Sequence, residues 1–334
     1  VHGGDQEPLG EFDLIDRYFS SGRPGAPGAK RRTDVILGIG DDAALLRCLR
    51  DSDLVAAVDT LVAGRHFPAG SEPRSIGHRS LAVNLSDLAA MGATPAWATL
   101  ALTLPSADGR WLEGFSAGFL ELAAAHGVEL VGGDTTEGPL TISVHILGQI
   151  DRGSALRRSG AQPGDILAVT GTLGDAGAGL ALVTGLATAG DRAAAAQLIE
   201  RFEYPTPRVQ FGSDARGIAS AAMDLSDGLA GDLPKFARAS GLAAHVDVGR
   251  LPLSGALRSL TTVAQAREWA LAAGDDYELL VAVPPQRFDE LAAAAARLNL
   301  TFTAIGELRR GKGVTWALEG LSFAAPARGY EHFR

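Results

Sequence analysis

Aspartates recur at the ends of apolar segments throughout this 334-residue chain. Asp59 closes LVAAVDT, Asp134 closes ELVGGDT, Asp87 follows AVNLS, Asp224 and Asp227 follow SAAM, and Asp41 and Asp42 stand side by side in GIGDDAALL. An unpaired carboxylate beside apolar surface is costly. Two like charges about 4 Å apart repel by about 4 kcal/mol at an effective dielectric of about 20. Each residue has a plain reading by itself: Asp87 or Asp227 as a helix cap, Asp134 as a turn residue beside glycines, Asp59 as the buried partner of an arginine. There are too few nearby cations to pair them all, so a fold that gathers strand ends around a shared positive charge is favoured.

The hydrophobic periodicity supports such a fold. DVILGIG, DLVAAVDTLV, AWATLALTL, VELVGGDT and LTISVHILGQI read as strands, whereas PRSIGHRSLAVNLSDLAAMG, ending at Gly92, and DGRWLEGFSAGFLELAAAHG read as helices. GEFDLIDRYF has helical spacing, and SGRPGAPGAKRRTD (21–34) reads as a mobile loop. Turn residues and charge interrupt the pattern at 151–165, and strands and helices alternate again from ILAVTG to FTAIGEL. The expectation is an α/β chain of the α+β type with mixed sheets packed against helices, in two domains, 1–150 and 151–334. NLSDLAAMG and DLSDGLAGDL share Leu-Ser-Asp, a faint echo that leaves a duplication open.

A net charge of −9 argues against a nucleic-acid surface. Cys48 is the single cysteine, so no disulfide framework or cysteine zinc site is expected. His66, His78, His126 and His145 are unclustered, and there is no HExxH zinc motif. The most apolar stretch, 176–190, falls short of the roughly 18 residues of a membrane span, and the first residues lack a signal peptide's pattern; a cytoplasmic protein with no membrane partner is expected. Among 30 Lys and Arg, only Lys30, Lys235 and Lys312 are lysines, so arginine abundance is a compositional bias rather than a phosphate-binding signal. No Walker sequence occurs, but TGTLGDAGAGLAL (170–182) could offer backbone amides to a phosphate, or its glycines could serve close helix packing. Carboxylates without a zinc pattern suit Mg²⁺, which takes oxygen ligands, keeps waters and shares substrate phosphates.

Taken in order, GEFDLIDRYF, GIGDDAALL, DTLVAGRHF, AVNLSDLAAMGATP, VGGDTTEGPL, RRSGAQPGD, MDLSDGL, GDDYEL and GYEHF resemble the thiamine-monophosphate kinases, in the wider aminoimidazole-ribonucleotide-synthetase-like group of ATP-using enzymes. The resemblance implies ATP-dependent phosphorylation of thiamine monophosphate to thiamine diphosphate, several Mg²⁺ ions, and a homodimer joined through the N-terminal domains. It assigns metal ligation to Asp42, Asp59, Asp87, Asp134, Asp224 and Asp227, with Asp41 as a neighbour and Val58 through its backbone carbonyl. Nucleotide contacts fall on Gly133, Asp134, Arg158 and Ser226, and substrate contacts on His66, Asp275 and Tyr330. Asp275 departs from the glutamate frequent in relatives and has a shorter reach. Three alternatives stay open: a sister enzyme of the same group, such as aminoimidazole ribonucleotide or selenophosphate synthetase, a non-catalytic nucleotide-binding relative, and a dinucleotide oxidoreductase using the 170–182 turn. Cys48 lies after the aspartate pair, which weighs against the cysteine-dependent selenophosphate chemistry.

Overall fold

A computed structural model describes residues 11–19 and 32–325. These divide into two compact units: one runs to Asn84 and resumes over Pro95–Gln149, and the other takes Leu85–Thr94 and the chain from Ile150. The order of elements in the first part of the chain is α1 (Glu11–Tyr18), β1 (Val35–Leu37), β2 (Leu45–Leu46), β3 (Ser52–Val62), α2 (Pro73–Met91), β4 (Thr94–Leu104), α3 (Gly109–Ala125), β5 (Glu129–Glu137) and β6 (Thr141–Asp151). Strands β3, β6, β4 and β5 form a sheet in that order, with β4 and β5 parallel, and β1 pairs β2 in a separate antiparallel ribbon.

In β6, Ile142, Val144 and Ile146 are buried while Ser143 and His145 between them are more accessible, the period-two pattern expected of a sheet with one covered face. Asp108 caps α3 by accepting the Arg110 and Trp111 amides. The cross-over of α2 on α3 depends on two glycines. A Cβ on Gly77 would lie 2.0 Å from the Phe115 carbonyl oxygen, and one on Gly118 would lie 2.0 Å from that of Arg74. Backbone therefore meets backbone at this crossing, which explains glycines in the middle of helices that otherwise disfavour them. Helix α2 closes at Gly92 (φ +68°), where the Gly92 amide bonds to Ala89 and the Ala93 amide to Leu88, the paired bonds of a left-handed C-terminal cap.

The second unit continues with β7 (Ile166–Thr170), α4 (Asp175–Val183), α5 (Arg192–Glu203), α6 (Val209–Ala215), β8 (Ala221–Leu225), α7 (Leu229–Ala239), β9 (Leu242–Asp247), α8 (Gly255–Leu260), α9 (Val263–Ala272), β10 (Glu278–Val283), α10 (Phe288–Arg297), β11 (Phe302–Arg310), β12 (Gly313–Leu318) and β13 (Leu321–Ser322). Its seven-stranded sheet has the order β13-β12-β9-β11-β7-β10-β8 and is mixed: β10 runs antiparallel to β7 and β8, while β12 runs parallel to β9. Every residue of β10 is buried. Leu280 and Ala282 join the core that includes Leu229, Leu233 and Phe236 of α7, whereas Leu279, Val281 and Val283 join the one that includes Phe211 of α6 and Leu291 of α10. A strand covered on both faces reads as a continuous apolar run, which is why ELLVAV shows no alternation.

The Leu-Ser-Asp echo is not a structural repeat. Residues 84–87 lie inside α2, whereas 225–227 leave the end of β8 and turn at Gly228 (φ +87°) into α7. The α2–α3 crossing makes a direct prediction. Gly118→Ala should cost about 2 kcal/mol or more of unfolding free energy, because neither backbone can yield; chemical denaturation of the variant beside wild type measures it.

Candidate functional site

In the first unit, Asp59 lies near the end of β3 with its amide donating to Asn84 Oδ1 at 3.1 Å. Asn84 is wholly buried in α2 and its Nδ2 donates to the Ser80 carbonyl. This clamp fixes the backbone of Asp59 while its carboxyl, half-buried, is pushed above the ordinary aspartate pKa by burial alone. Among the described residues no cationic side chain offsets that burial. The neighbouring Val58 side chain is exposed. Asp134 and Gly133 are exposed on β5, in register with Ala101 and Leu100 of β4. A Cβ on Gly133 would stand 1.9 Å from the Leu100 carbonyl oxygen, so this glycine sets the approach of the two strands before it meets any ligand. Asp41 and Asp42 are both exposed, and Asp41 Oδ1 accepts the Asp42 amide at 2.8 Å. Their adjacency is therefore tolerated in water, with Asp41 engaged in its own turn. His66 Nδ1 accepts the Val62 amide at 2.9 Å, which leaves the ring proton on Nε2.

In the second unit, the end of β8 and the segment before β10 are stitched together. Asp275 donates its amide to the Ser226 carbonyl at 2.8 Å, and Tyr277 donates its own to Leu225 at 2.9 Å. Both Asp275 (φ +62°) and Tyr277 (φ +49°) are left-handed, a conformation that non-glycine residues hold only when their surroundings impose it. The sequence-predicted nucleotide residue Ser226, metal ligand Asp227 and substrate residue Asp275 are thus brought onto two loops that share backbone hydrogen bonds. Asp224 is largely buried and accepts the Ser86 hydroxyl at 2.9 Å, which joins the α2 segment carrying Asp87 to the end of β8. Arg158 is exposed in the chain leading to β7. Tyr330, GYEHF and residues 21–31 of the predicted mobile loop lie outside the described residues. Of that loop, Arg32 is held by Asp34, by the Gly127 carbonyl and over the Trp97 ring.

What imposes the left-handed turn lies beneath it. Glu278 is completely buried, and its carboxylate receives Arg208 through Nε at 2.7 Å and Nη2 at 2.5 Å, Arg201 Nη2 at 2.9 Å and the Thr170 hydroxyl at 2.7 Å. Asp276, also buried, accepts the Gly174 amide with both oxygens at 2.9–3.0 Å. This answers the question of the 170–182 turn. The Gly174 amide is taken by Asp276, that of Leu173 by Pro252, and that of Gly171 by Thr301. Those three amides serve the fold, and they are not presented to a phosphate.

A third buried carboxylate organises the other loop. Asp232 Oδ2 accepts both the Ser226 amide at 3.0 Å and the Asp227 amide at 2.9 Å, while its Oδ1 receives Lys235 Nζ at 2.9 Å. Lys235 also reaches Asp227 Oδ2 at 2.5 Å. The sequence reading passed over Asn84, Asp232, Lys235, Asp276 and Glu278. A signal existed for the last four: charged residues in or beside apolar runs, and, for Lys235, a lysine in a chain that otherwise uses arginine.

Among the described residues, no three His, Cys, Asp or Glu side chains stand close enough together to hold a metal ion by themselves. The oxygen-only donors nonetheless fit Mg²⁺, which binds through one or two carboxylates and completes its shell with water and substrate phosphate. The burial-raised Asp59 carboxyl is the specific observation in favour, since a divalent cation beside it would favour the charged form that burial disfavours.

Residues 40–150 match the family described as AIR synthase related protein, N-terminal domain, and residues 162–318 match AIR synthase related protein, C-terminal domain. The thiamine-monophosphate kinase of Salmonella typhimurium is 46% identical over 325 residues, covering 97% of this chain and 98% of its own. Among solved structures, thiamine-monophosphate kinase from Stenotrophomonas maltophilia superposes with a TM-score of 0.82 at 49% identity, over 88% of this chain and 93% of that one. A complex described as AaThiL with AMPPCP and TMP superposes with a TM-score of 0.76 at 31% identity, over 86% and 89%.

The buried cluster predicts a pH signature. Burial raises Asp276 well above the ordinary aspartate pKa; the Gly174 amide and Arg201 oppose this, and the charges of Asp175 and Glu278 reinforce it. The folded state then holds a proton that the unfolded state has already released, so this residue's contribution to stability falls as pH rises through its folded pKa. Asp276→Asn removes that dependence. Its melting temperature relative to wild type should rise as the pH increases above the ordinary aspartate range, and a constant difference in thermal scans would refute this assignment.

Proposed function

The chain belongs to the thiamine-monophosphate kinase family, and we propose that it carries out the reaction this name states, phosphorylating thiamine monophosphate with ATP to give thiamine diphosphate and ADP. What carries the reading is a likeness to thiamine-monophosphate kinase that runs nearly the whole length of both chains.

The acceptor is a phosphate monoester whose second pKa lies near 6, so it arrives mostly ionised at neutral pH. No strong general base is required, and the absence of a Ser-His-Asp pattern in the motifs agrees with direct in-line transfer. The difficulty is electrostatic, because a dianion must approach a polyanionic nucleotide. We assign Mg²⁺ ligation to Asp42, Asp59 and Asp134, with Asp41 and the Val58 carbonyl beside them, in the first unit and to Asp87, Asp224 and Asp227 in the second. When bound, Mg²⁺ would supply charge neutralisation between the two phosphates and at the transferring group.

The chain's own groups do the positioning. Exposed Arg158 offers a guanidinium fork for nucleotide phosphate, and the Ser226 hydroxyl stands on the loop held by Asp232. Gly133 lets the chain pass close to a ligand without a side chain. His66, its Nδ1 occupied, presents Nε2–H as a donor to the substrate. Asp275, held by the left-handed turn, offers a carboxylate to its cationic portion, and Tyr330 is assigned to the same substrate.

A second copy of the chain is the proposed partner. Strand β3 is an 11-residue edge of its sheet, and Ile36, Leu37, Leu45, Leu49, Leu54 and Val58 expose apolar side chains on or beside β1, β2 and β3. A long apolar edge of this kind is normally covered. Leu54→Lys should shift the chain from dimer to monomer in sedimentation velocity, whereas a wild-type monomer would reject the assignment.

Product analysis tests the reaction. Incubation with ATP, Mg²⁺ and thiamine monophosphate should release ADP and thiamine diphosphate in equal amounts. Unphosphorylated thiamine should be a poor acceptor even at high concentration, since its hydroxyl must lose a proton during attack and no sequence motif supplies a base for it. Comparable kcat/KM for the two acceptors would overturn the mechanism.

A further inference from the structure

Lys235 sits on the carboxylate that the proposed function gives to a metal ion. Its ammonium bridges Asp227 Oδ2 at 2.5 Å and Asp232 Oδ1 at 2.9 Å, while Asp232 Oδ2 holds the amides of Ser226 and Asp227. Asp232 is buried, whereas Lys235 and Asp227 are each about one-third accessible, with side-chain exposures of 40% and 32%. The three groups have distinct duties: Asp232 fixes the backbone of the loop, Lys235 is tethered to Asp232 one helical turn along α7, and its remaining reach falls on Asp227. Two carboxylates share one ammonium, so the group keeps one negative charge in excess.

The residue type fits this duty. A lysine is a compact point charge on a flexible four-carbon stem, whereas an arginine would grip a carboxylate with a planar fork. In a chain where only three of 30 basic residues are lysines, the lysine stands where a cation must be able to leave its partner. We propose that Lys235 is an internal counter-ion for Asp227, which holds this carboxylate in place when no metal is bound and competes with the divalent cation for it. Lys235 thereby sets how much Mg²⁺ the site requires. It acts as a positioning residue and touches neither substrate. The inference rests on the assignment of Asp227 as a Mg²⁺ ligand.

The test uses the full chain, stripped with chelator and titrated with Mg²⁺ alone at constant ionic strength, with the melting temperature as the readout. Lys235→Met should melt below wild type without Mg²⁺. Its half-saturating Mg²⁺ should fall about threefold or more, the scale of one partly exposed ion pair. Lys235→Arg retains the charge and should leave the midpoint at or above the wild-type value. Lys235→Gln serves as a second neutral variant should the methionine variant not fold. In an Asp227→Asn background the Lys235→Met change should have no effect on the midpoint, which ties the competition to that carboxylate. An unchanged or higher midpoint in the neutral variants, with wild type still responding to Mg²⁺, overturns the competition and leaves the metal assignment standing. If Asp227→Asn responds to Mg²⁺ as wild type does, the metal assignment at Asp227 falls and the counter-ion role falls with it.

Discussion

Glu278 carries its carboxylate at the start of β10, a strand covered on both faces, where an isolated charge would be prohibitive. The bidentate grip of Arg208, the second guanidinium of Arg201 and the Thr170 hydroxyl make it tolerable. Removing any one partner would leave a buried charge short of compensation, which is far more damaging than never having had the charge. Because Thr170 ends β7 and the two arginines come from α5 and the chain just before α6, this carboxylate draws three parts of the unit to one point. The left-handed residues 275 and 277 are imposed immediately above it, and they in turn face the loop of Ser226 and Asp227. Backbone strain at residues 275 and 277 thus adjoins the ionic hydrogen bonds of Glu278.

The same division appears in the two carboxylates that flank this region. Asp276 and Asp232 each direct both oxygens inward to the fold, to Gly174 in one case and to Ser226, Asp227 and Lys235 in the other. Asp275 and Asp227, their near neighbours in sequence, are the accessible members of each loop. Paired acidic residues here consist of one structural member and one that faces the solvent. Asp41 and Asp42 are a weaker version of the same arrangement, with Asp41 engaged by its neighbour's amide.

Much of the fold was legible because its signals are local. The long helix ending at Gly92, the strand that carries Asp59 and the alternation of β6 follow from apolar spacing and from one left-handed glycine. Which strands neighbour one another was not legible, since the order β13-β12-β9-β11-β7-β10-β8 is set by long-range packing on two faces. The Leu-Ser-Asp echo, which left a duplication open, marks no repeat, because three identical residues are compatible with a helix interior at 85–87 and with a strand exit at 225–227. Of the candidate site, the aspartates, Asp232 among them, and Lys235 carry a sequence signal, whereas Asn84 carries none; which backbone amides and carboxylates these groups meet is decided only on folding. The glycine-rich turn at 170–174 illustrates the same limit: its composition suits a phosphate cradle, and only the arrival of Asp276 from 102 residues away shows where the Gly174 amide points.

One packing detail ties two distant positions together. Gly171 (φ +59°) faces Glu278 so closely that a Cβ would lie 2.0 Å from Oε1. A side chain at 171 would have to push the Glu278 carboxylate off the two arginines and the threonine hydroxyl that hold it. The left-handed backbone there disfavours one independently. Glycine at 171 thus answers two demands at once, that of the turn and that of the ionic cluster beside it, and a variant that relieved only one of them would still meet the other.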